Sequence, residues 1–170
     1  AAATAGGGAF YSYQIEQSVR FDSASSSYMT RTFGSAGNRR TGTLSAWVKR
    51  VTLGTQMVIF NAHVNNGDQD QLFNFLSTDK ITAWFDGANY GDLVTQGVHR
   101  DISSWGHFVL AWDTTQGTAS NRIKWYLNGT QITDLENYNG SGSAVYPSHT
   151  QDMWFNGAYE HAIGRRTAYS

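Results

Sequence analysis

Hydrophobic and polar residues alternate most regularly in residues 122–132, RIKWYLNGTQI. The apolar side chains recur at every second position from Ile123, which is the pattern of a strand buried on one face. Asn128 and Gly129 follow, and both residue types accept the positive φ that a type I′ hairpin turn requires. The pattern therefore predicts a strand that ends in a tight hairpin.

The preceding run, SWGHFVLAWD at residues 104–113, is apolar on both faces of a strand. Phe108 and Leu110 lie on one face, and Val109 and Ala111 lie on the other. We expect a strand of this kind to be covered on both sides. Together with the hairpin, it predicts a layered antiparallel sandwich.

Further apolar or alternating runs, separated by Gly, Asn, Asp and Ser turns, predict about ten strands in all. No window combines apolar residues at helical spacing with a cap, so no substantial helix is expected. The predicted fold class is all-β, an antiparallel β-sandwich. The predicted strands lie at residues 18–22, 27–33, 43–50, 56–63, 71–77, 80–86, 92–98, 105–113, 122–128 and 151–163.

Three of these features also carry a family resemblance. They are Trp-x-His at residues 105–107, an apolar strand ending in Asp113, and a strand ending in Tyr-Leu-Asn-Gly at residues 126–129. This order resembles the central strands of laminin-G-like and pentraxin-like domains, which belong to the concanavalin-A-like superfamily. The resemblance implies a concanavalin-A-like jelly roll.

A longer series of strings is similar to the jelly-roll domain that recurs in virion proteins of tailed phages. The resemblance spans about residues 17–165 and implies a virion location, in a structural, fibre-like or decoration protein. It implies location more strongly than it implies a ligand. The strings are QSVRFD at 17–22, SYMTRT at 27–32, SAGNRRT at 35–41, LSAWVKR at 44–50, DTTQ at 113–116, ASNR at 119–122 and HAIGR at 161–165.

Composition agrees with a β protein on the surface of a particle. Of 170 residues, 15% are charged, which is well below the usual quarter, and 14% are aromatic. The net charge of −1 provides no basic field for nucleic acid. Nucleic acid is therefore not an expected partner. The absence of cysteine fits a phage protein assembled in a reducing cytoplasm. No apolar run reaches the roughly 18 residues of a membrane span, so a membrane is not an expected partner either.

The N-terminal residues 1–16 are expected to form an arm separate from the sandwich. They begin with AAATAGGG, whose side chains are too small to form a core. Phe10, Tyr11 and Tyr13 then supply a compact aromatic anchor. We predict that this arm makes an assembly contact with a neighbouring subunit.

The sandwich itself is expected over residues 17–170, without its closing strand. In the resembled family, the position of residues 163–165 is followed by further strands, the last of which pairs beside the first. Nothing similar follows here. The resemblance thus places residues 19–22 at an open edge, which the rest of a longer polypeptide or a neighbouring chain would cover.

The glutamates bear on catalysis. Glycan-cleaving members of the superfamily carry two acidic side chains on one strand, about 5–5.5 Å apart in retaining enzymes. Glu16, Glu136 and Glu160 are the only glutamates, and none has an Asp two residues on. We therefore expect no enzyme activity, with a glycoside hydrolase as the least favoured alternative.

One polar stretch is a weak candidate for calcium. Laminin-G-like and pentraxin-like domains often bind this ion on loops at the sandwich rim, and Asn65, Asp68 and Asp70 offer the oxygen ligands that it prefers. A polar β-turn uses the same residue types. No cofactor is otherwise expected.

A second stretch is a candidate for binding sugar. Trp84, Asp86, Asn89 and Tyr90 combine an aromatic platform with the polar side chains that hydrogen-bond sugar hydroxyls. The alternative is a strand and its turn, with Trp84 in the core.

These observations favour a non-catalytic structural or attachment module of a tailed-phage virion, in a tail fibre, an appendage or a capsid decoration. Its expected partners are other virion proteins, further copies of itself and a host-surface glycan. The main alternative is a lectin-like carbohydrate-binding module.

Overall fold

A computed structural model describes residues 17–64, 70–85, 91–138, 140 and 142–166. These ranges contain eleven strands and one short 3₁₀ turn at Ala119–Asn121, and no helix in them is long and apolar enough to cross a membrane. The strands are β1 (Met29–Thr32), β2 (Thr41–Val48), β3 (Met57–His63), β4 (Asp70–Phe75), β5 (Ile81–Phe85), β6 (Gly91–Thr95), β7 (Gly106–Asp113), β8 (Ile123–Leu127), β9 (Thr130–Ile132), β10 (Leu135–Glu136) and β11 (Glu160–Ile163).

The strands form two antiparallel sheets. The larger sheet has seven strands in the order β1-β11-β3-β4-β5-β6-β10, and the smaller has four in the order β2-β7-β8-β9. Every neighbouring pair is antiparallel. The predicted all-β antiparallel sandwich is confirmed.

The core lies between the inner faces of the two sheets. Phe73 on β4 meets Trp125 on β8 edge-on, with ring centroids 5.7 Å apart, and Phe75 meets Phe108 on β7 at the same distance. Leu110, in the middle of β7, is fully buried. Strand alternation turns these residues inward because successive side chains point to opposite faces.

The predicted hairpin is confirmed. Asn128 and Gly129 have φ of 51° and 81°, the two positive values of a type I′ turn. The side chain of Asn128 also accepts a hydrogen bond from the backbone N–H of His107, at 2.9 Å. The turn therefore joins β8 to β9 and is anchored on β7.

Strand β7 is less covered than its sequence predicts. Its inward side chains are buried, but His107, Val109 and Ala111 on the outer face are only half-buried. On this face His107 stacks on Trp47, with ring centroids 5.0 Å apart. The prediction of cover on both sides is wrong for this outer face.

The first predicted strand, at residues 18–22, is also wrong. Asp22 instead opens a turn, in which its carboxylate and carbonyl accept the backbone N–H groups of Ala24 and Ser27. Phe21 packs its ring over Gly164, where an added Cβ would stand 2.6 Å from the ring. Within the described ranges, β1 forms this edge of the larger sheet, and residues 19–22 are not one of its strands. The expected closing strand stays a prediction.

The last predicted strand, at residues 151–163, is confirmed only over Glu160–Ile163. Residues 151–159 form a partly buried loop, in which Met153 and Phe155 enter the core. The buried side chain of Gln71 accepts hydrogen bonds from the backbone N–H groups of Trp154 and Phe155, at 2.8 and 3.2 Å. A distant side chain thus satisfies the backbone groups that a strand ladder would have paired.

One carboxylate joins three loops at the end of the sandwich. Asp79 accepts hydrogen bonds from the backbone N–H of Gly54 at 2.8 Å, from Arg50 at 3.0 Å and from Arg100 at 2.9 Å. The Gly54 N–H has the largest effect, and with the two guanidinium groups it lowers the pKa of Asp79 to about 2. Arg50 also lies over the ring of Phe75, which ties the loops to the core.

Candidate functional site

The candidate site begins at Trp84, on the outer face of the larger sheet. Trp84 lies on β5, between Leu72 on β4 and Asp92 on β6, and is half-buried. It therefore points away from the core between the sheets. Its ring meets Tyr138 edge-on, with centroids 5.9 Å apart and planes at 81°. Two aromatic side chains are thus brought together on this face.

Asp92 positions the chain that carries Tyr138. Its carboxylate accepts a hydrogen bond from the backbone N–H of Tyr138 at 2.5 Å. The backbone of Asp92 also exchanges two hydrogen bonds with Val145, at 2.6 and 2.8 Å. Tyr138 and Val145 are therefore both fixed on β6, and Tyr138 remains 55% exposed.

A depression of about 360 Å³ lies beside this aromatic pair. Lys80 and Glu136 form an ion pair at its rim, which places a cation and a carboxylate next to the exposed ring. The depression is lined by Leu76, Ser77, Thr78, Lys80, Val94, Glu136, Tyr138 and Gly140.

Two buried polar atoms lie on neighbouring strands of the same sheet. Asn74 and Thr82 are register partners on β4 and β5, and Thr82 is opposite Val94 on β6. Asn74 Oδ1 and Thr82 Oγ1 have no hydrogen-bond partner within the described ranges. The accessible groups of this face are the Tyr138 ring, the Lys80 cation and the Glu136 carboxylate. This combination suits a polyhydroxylated ligand, whose CH face stacks on a ring while its hydroxyls form hydrogen bonds.

The other residues of the predicted sugar site, Asp86, Asn89 and Tyr90, lie outside the described residues. So do Phe10, Tyr11 and Tyr13 of the predicted assembly contact. Both assignments stay predictions. Of the predicted sugar site, the structure describes Trp84. The candidate site also includes Tyr138, Lys80 and Glu136, which no local sequence pattern connects with Trp84.

Asp70, from the weak calcium candidate, is described and fully buried. It accepts hydrogen bonds from Asn61 at 3.3 Å, from His63 at 3.0 Å and from Arg166 at 2.5 Å. Both carboxylate oxygens thus face donors, one of them cationic, and this opposes a role as a calcium ligand.

Asn65 and Asp68, the other two calcium candidates, lie outside the described residues. Within the described part of the chain, no three His, Asp or Glu side chains are grouped as metal ligands.

The two described glutamates are far apart. Glu136 lies on β10 at one end of the larger sheet, and Glu160 on β11 near the other, five strand spacings away. At about 4.8 Å per spacing, this separation is roughly 24 Å. Glu160 is paired with Arg165 at 3.0 Å, and Glu136 with Lys80. They do not form the close carboxylate pair of a glycosidase.

A second, larger depression of about 430 Å³ lies by the smaller sheet. Its lining includes Thr41, Thr43 and Lys124. Asp113 and Gln116 also line it and hydrogen-bond each other at 2.6 Å. The side chains of Thr115 and Gln116 lower the pKa of Asp113. This carboxylate is thus held ionised by its own turn, which suits a polar surface loop.

Comparison with family models, with curated proteins and with solved structures returned no match.

Proposed function

We propose that this chain is a non-catalytic structural and attachment module of a tailed-phage virion, in a tail fibre, an appendage or a capsid decoration. The sequence resemblance over about residues 17–165 supports the location. The observation that carries the assembly role is the unequal size of the two sheets, seven strands against four. It leaves inner-face residues such as Met29 and Ile163 exposed, as expected of a subunit surface that neighbours cover.

The charged groups support a structural rather than a catalytic role. Asp70 and Asp79 are buried, and each is paired with arginine. Removing one partner from such a pair is costly, so residues of this kind chiefly hold the fold together.

The test is to locate the chain on purified particles of the phage that encodes it. An antibody against residues 17–166 should label one structure of the particle in immunogold electron microscopy, and mass spectrometry should recover the chain at a stoichiometry of several copies per particle. Recovery of the chain only from the lysate, with no label on particles, would refute the proposal.

Carbohydrate recognition is a second candidate function, favoured by the Trp84–Tyr138 pair beside the depression with Lys80 and Glu136. On a glycan array, Trp84→Ala and Tyr138→Ala should abolish a signal that the unmodified chain gives. Trp47→Ala is the matched control, because Trp47 is an exposed tryptophan on the other sheet. Equal loss of signal in all three variants, or no signal for the unmodified chain, would contradict this role.

A further inference from the structure

His161 contacts two backbone groups through its two ring nitrogens. It lies on β11 opposite Ala62 of the core, and it is 4% exposed. Its Nδ1 lies 2.9 Å from the carbonyl oxygen of Tyr159, and its Nε2 accepts a hydrogen bond from the backbone N–H of Asn156 at 3.1 Å. A carbonyl oxygen can only accept, so Nδ1 carries the proton and Nε2 does not. Both contacts are therefore satisfied by the neutral ring.

Asn156 connects this contact to the segment between β1 and β2. It has a φ of 63°, in a turn closed by a hydrogen bond from the N–H of Gly157 to the carbonyl of Trp154 at 2.9 Å. Its own carbonyl accepts the N–H of Gly37 at 2.9 Å, and its side chain donates to the carbonyl of Asn38 at 2.9 Å. A Cβ added to Gly37 would stand 2.4 Å from that side chain, so the two segments are in close contact.

The first half of the same loop has anchors that do not titrate near neutral pH. The side chain of Gln71 accepts the N–H groups of Trp154 and Phe155. Arg39 donates to the carbonyl of Met153 at 2.6 Å, and its own carbonyl accepts the N–H of Met153 at 3.1 Å. An amide and a guanidinium keep their charge state between about pH 5 and 8. The second half of the loop instead depends on a histidine.

Apolar rings and a cation surround the His161 ring. It meets Phe33 edge-on, with ring centroids 4.8 Å apart, and its register partner on β1 is Arg31, which lies over the other ring of this pair. Strand alternation turns Glu160 to the outer face, where it is paired with Arg165 at 3.0 Å. The other charged or titratable groups on the packed elements are His63 on the outer face of β3, Arg39 over the ring of Tyr159, and Arg40 paired with Asp152.

Protonation would place a hydrogen on Nε2, the atom that accepts the Asn156 N–H. Two N–H groups would then point at each other, and a partly buried donor would lose its acceptor. Burial is the largest effect on the ring and lowers the pKa of His161, although the carbonyls of Tyr159 and Trp154 partly offset it. The charged ring is therefore more stable in water than in its buried position.

We propose that His161 is a pH-sensitive switch, which holds Asn156 against β11 while its ring is neutral and releases it when the ring is protonated. Release frees residues 156–159 and breaks their contact with Gly37 and Asn38. Met153, Trp154 and Phe155 stay in place because their anchors do not titrate. This local opening differs from unfolding of the whole chain, and it does not rest on the proposed function.

The size of the effect follows from the titration of an exposed histidine. In the open form the ring is in water and has a pKa of about 6.5. Acid therefore stabilises the open form relative to the closed form as the pH falls below this value. Between about pH 7.5 and pH 5.5, opening should increase several-fold, with an upper limit of about tenfold.

Hydrogen exchange of the 170-residue chain, followed by NMR and corrected for the intrinsic pH dependence of amide exchange, measures this opening. The amides of Asn156, Gly157 and Gly37 should lose protection by several-fold between about pH 7.5 and pH 5.5. The amides of Trp154 and Phe155 should change by less than about twofold. An equal loss at all five amides, or no loss at the first three, would overturn the proposal.

Two variants separate His161 from the other histidines. His161→Gln keeps an oxygen that can accept the Asn156 N–H and has no titrating ring, so the pH-dependent loss of protection should disappear. His149→Gln is the matched control, because His149 is exposed and contacts the carbonyl of Thr115 in another loop, and it should keep the full loss. A loss that persists in His161→Gln, or disappears in His149→Gln, would contradict the switch.

NMR of the ring nitrogens of His161 in the unmodified chain tests the same proposal without a substitution, so it decides even if His161→Gln does not fold. At about pH 7.5, Nδ1 should carry the proton and Nε2 should be unprotonated. A ring that is already charged at this pH, or one with its proton on Nε2, would overturn the proposal.

Discussion

The open side of the core predicts unequal costs for the same substitution at two isoleucines. Ile81 and Ile163 both lie on the inner face of the larger sheet. Ile81 is fully buried opposite Phe75, whereas Ile163 is 38% exposed near the β1 edge. Replacing each by alanine removes identical atoms from two different environments.

The expected magnitudes follow from burial. Ile81→Ala leaves a cavity in a closed core and should cost about 3–5 kcal/mol of unfolding free energy. Full burial of an isoleucine contributes about 1.5–3 kcal/mol. Because 38% of Ile163 is already exposed, Ile163→Ala loses about 1–2 kcal/mol, with no closed cavity to add to it.

Urea unfolding followed by tryptophan fluorescence measures both values, and similar slopes of free energy against urea would show that the denatured states are comparable. Met29→Ala serves as a further check, with an expected cost of about 1 kcal/mol. A cost above about 3 kcal/mol for Ile163→Ala would show that this side of the core is closed in the free chain.

Three further predictions concern single residues. Asp79→Asn should lower the melting temperature at pH 7. Because the folded pKa of Asp79 is depressed to about 2, its contribution should be present above pH 4 and lost as the pH falls toward 2. Burial lowers the pKa of His161, so protonation favours the unfolded chain. Unfolding free energy should therefore fall as the pH drops below about 6.5, and less steeply in His161→Gln. Gly129→Ala, at φ 81°, should cost about 1 kcal/mol or more in urea unfolding.

These three predictions each have a contradicting result. Equal acid sensitivity of Asp79→Asn and the unmodified chain would show that the three-loop contact adds no pH-dependent stability. If the unfolding free energy of His161→Gln depends on pH as in the unmodified chain, a group other than His161 causes the loss of stability. His99 would be the next candidate, because burial and the charge of Arg50 lower its pKa as well. An unchanged unfolding free energy in Gly129→Ala would contradict the assignment of a type I′ turn.

Local alternation was enough to predict the strands that form the middle of the sandwich. The hairpin at Asn128 and Gly129 was predicted because its two residue types and the flanking alternation are adjacent in sequence. The loop at residues 151–159 was not predicted. Its apolar side chains resemble those of a strand, and the group that satisfies its backbone, the Gln71 side chain, is about 80 residues away.

The candidate site was predicted only in part for a similar reason. Trp84 was singled out because aromatic and polar residues cluster near it in the sequence. Tyr138 and Glu136 join it because β10 pairs with β6, and no local pattern reveals that order. The pairing of His63 with Asp70 could have been predicted, since both flank the same turn between two expected antiparallel strands.

The proposal that this chain is a module of a tailed-phage virion is tested most directly by the electron cryomicroscopy density of intact particles of the virus proposed to encode it. The account predicts density that fits the two-sheet sandwich at a tail fibre, an appendage or the capsid surface, in several symmetry-related copies. Well-resolved density in which every part of the particle is assigned to other chains, with none left for this sandwich, would contradict it.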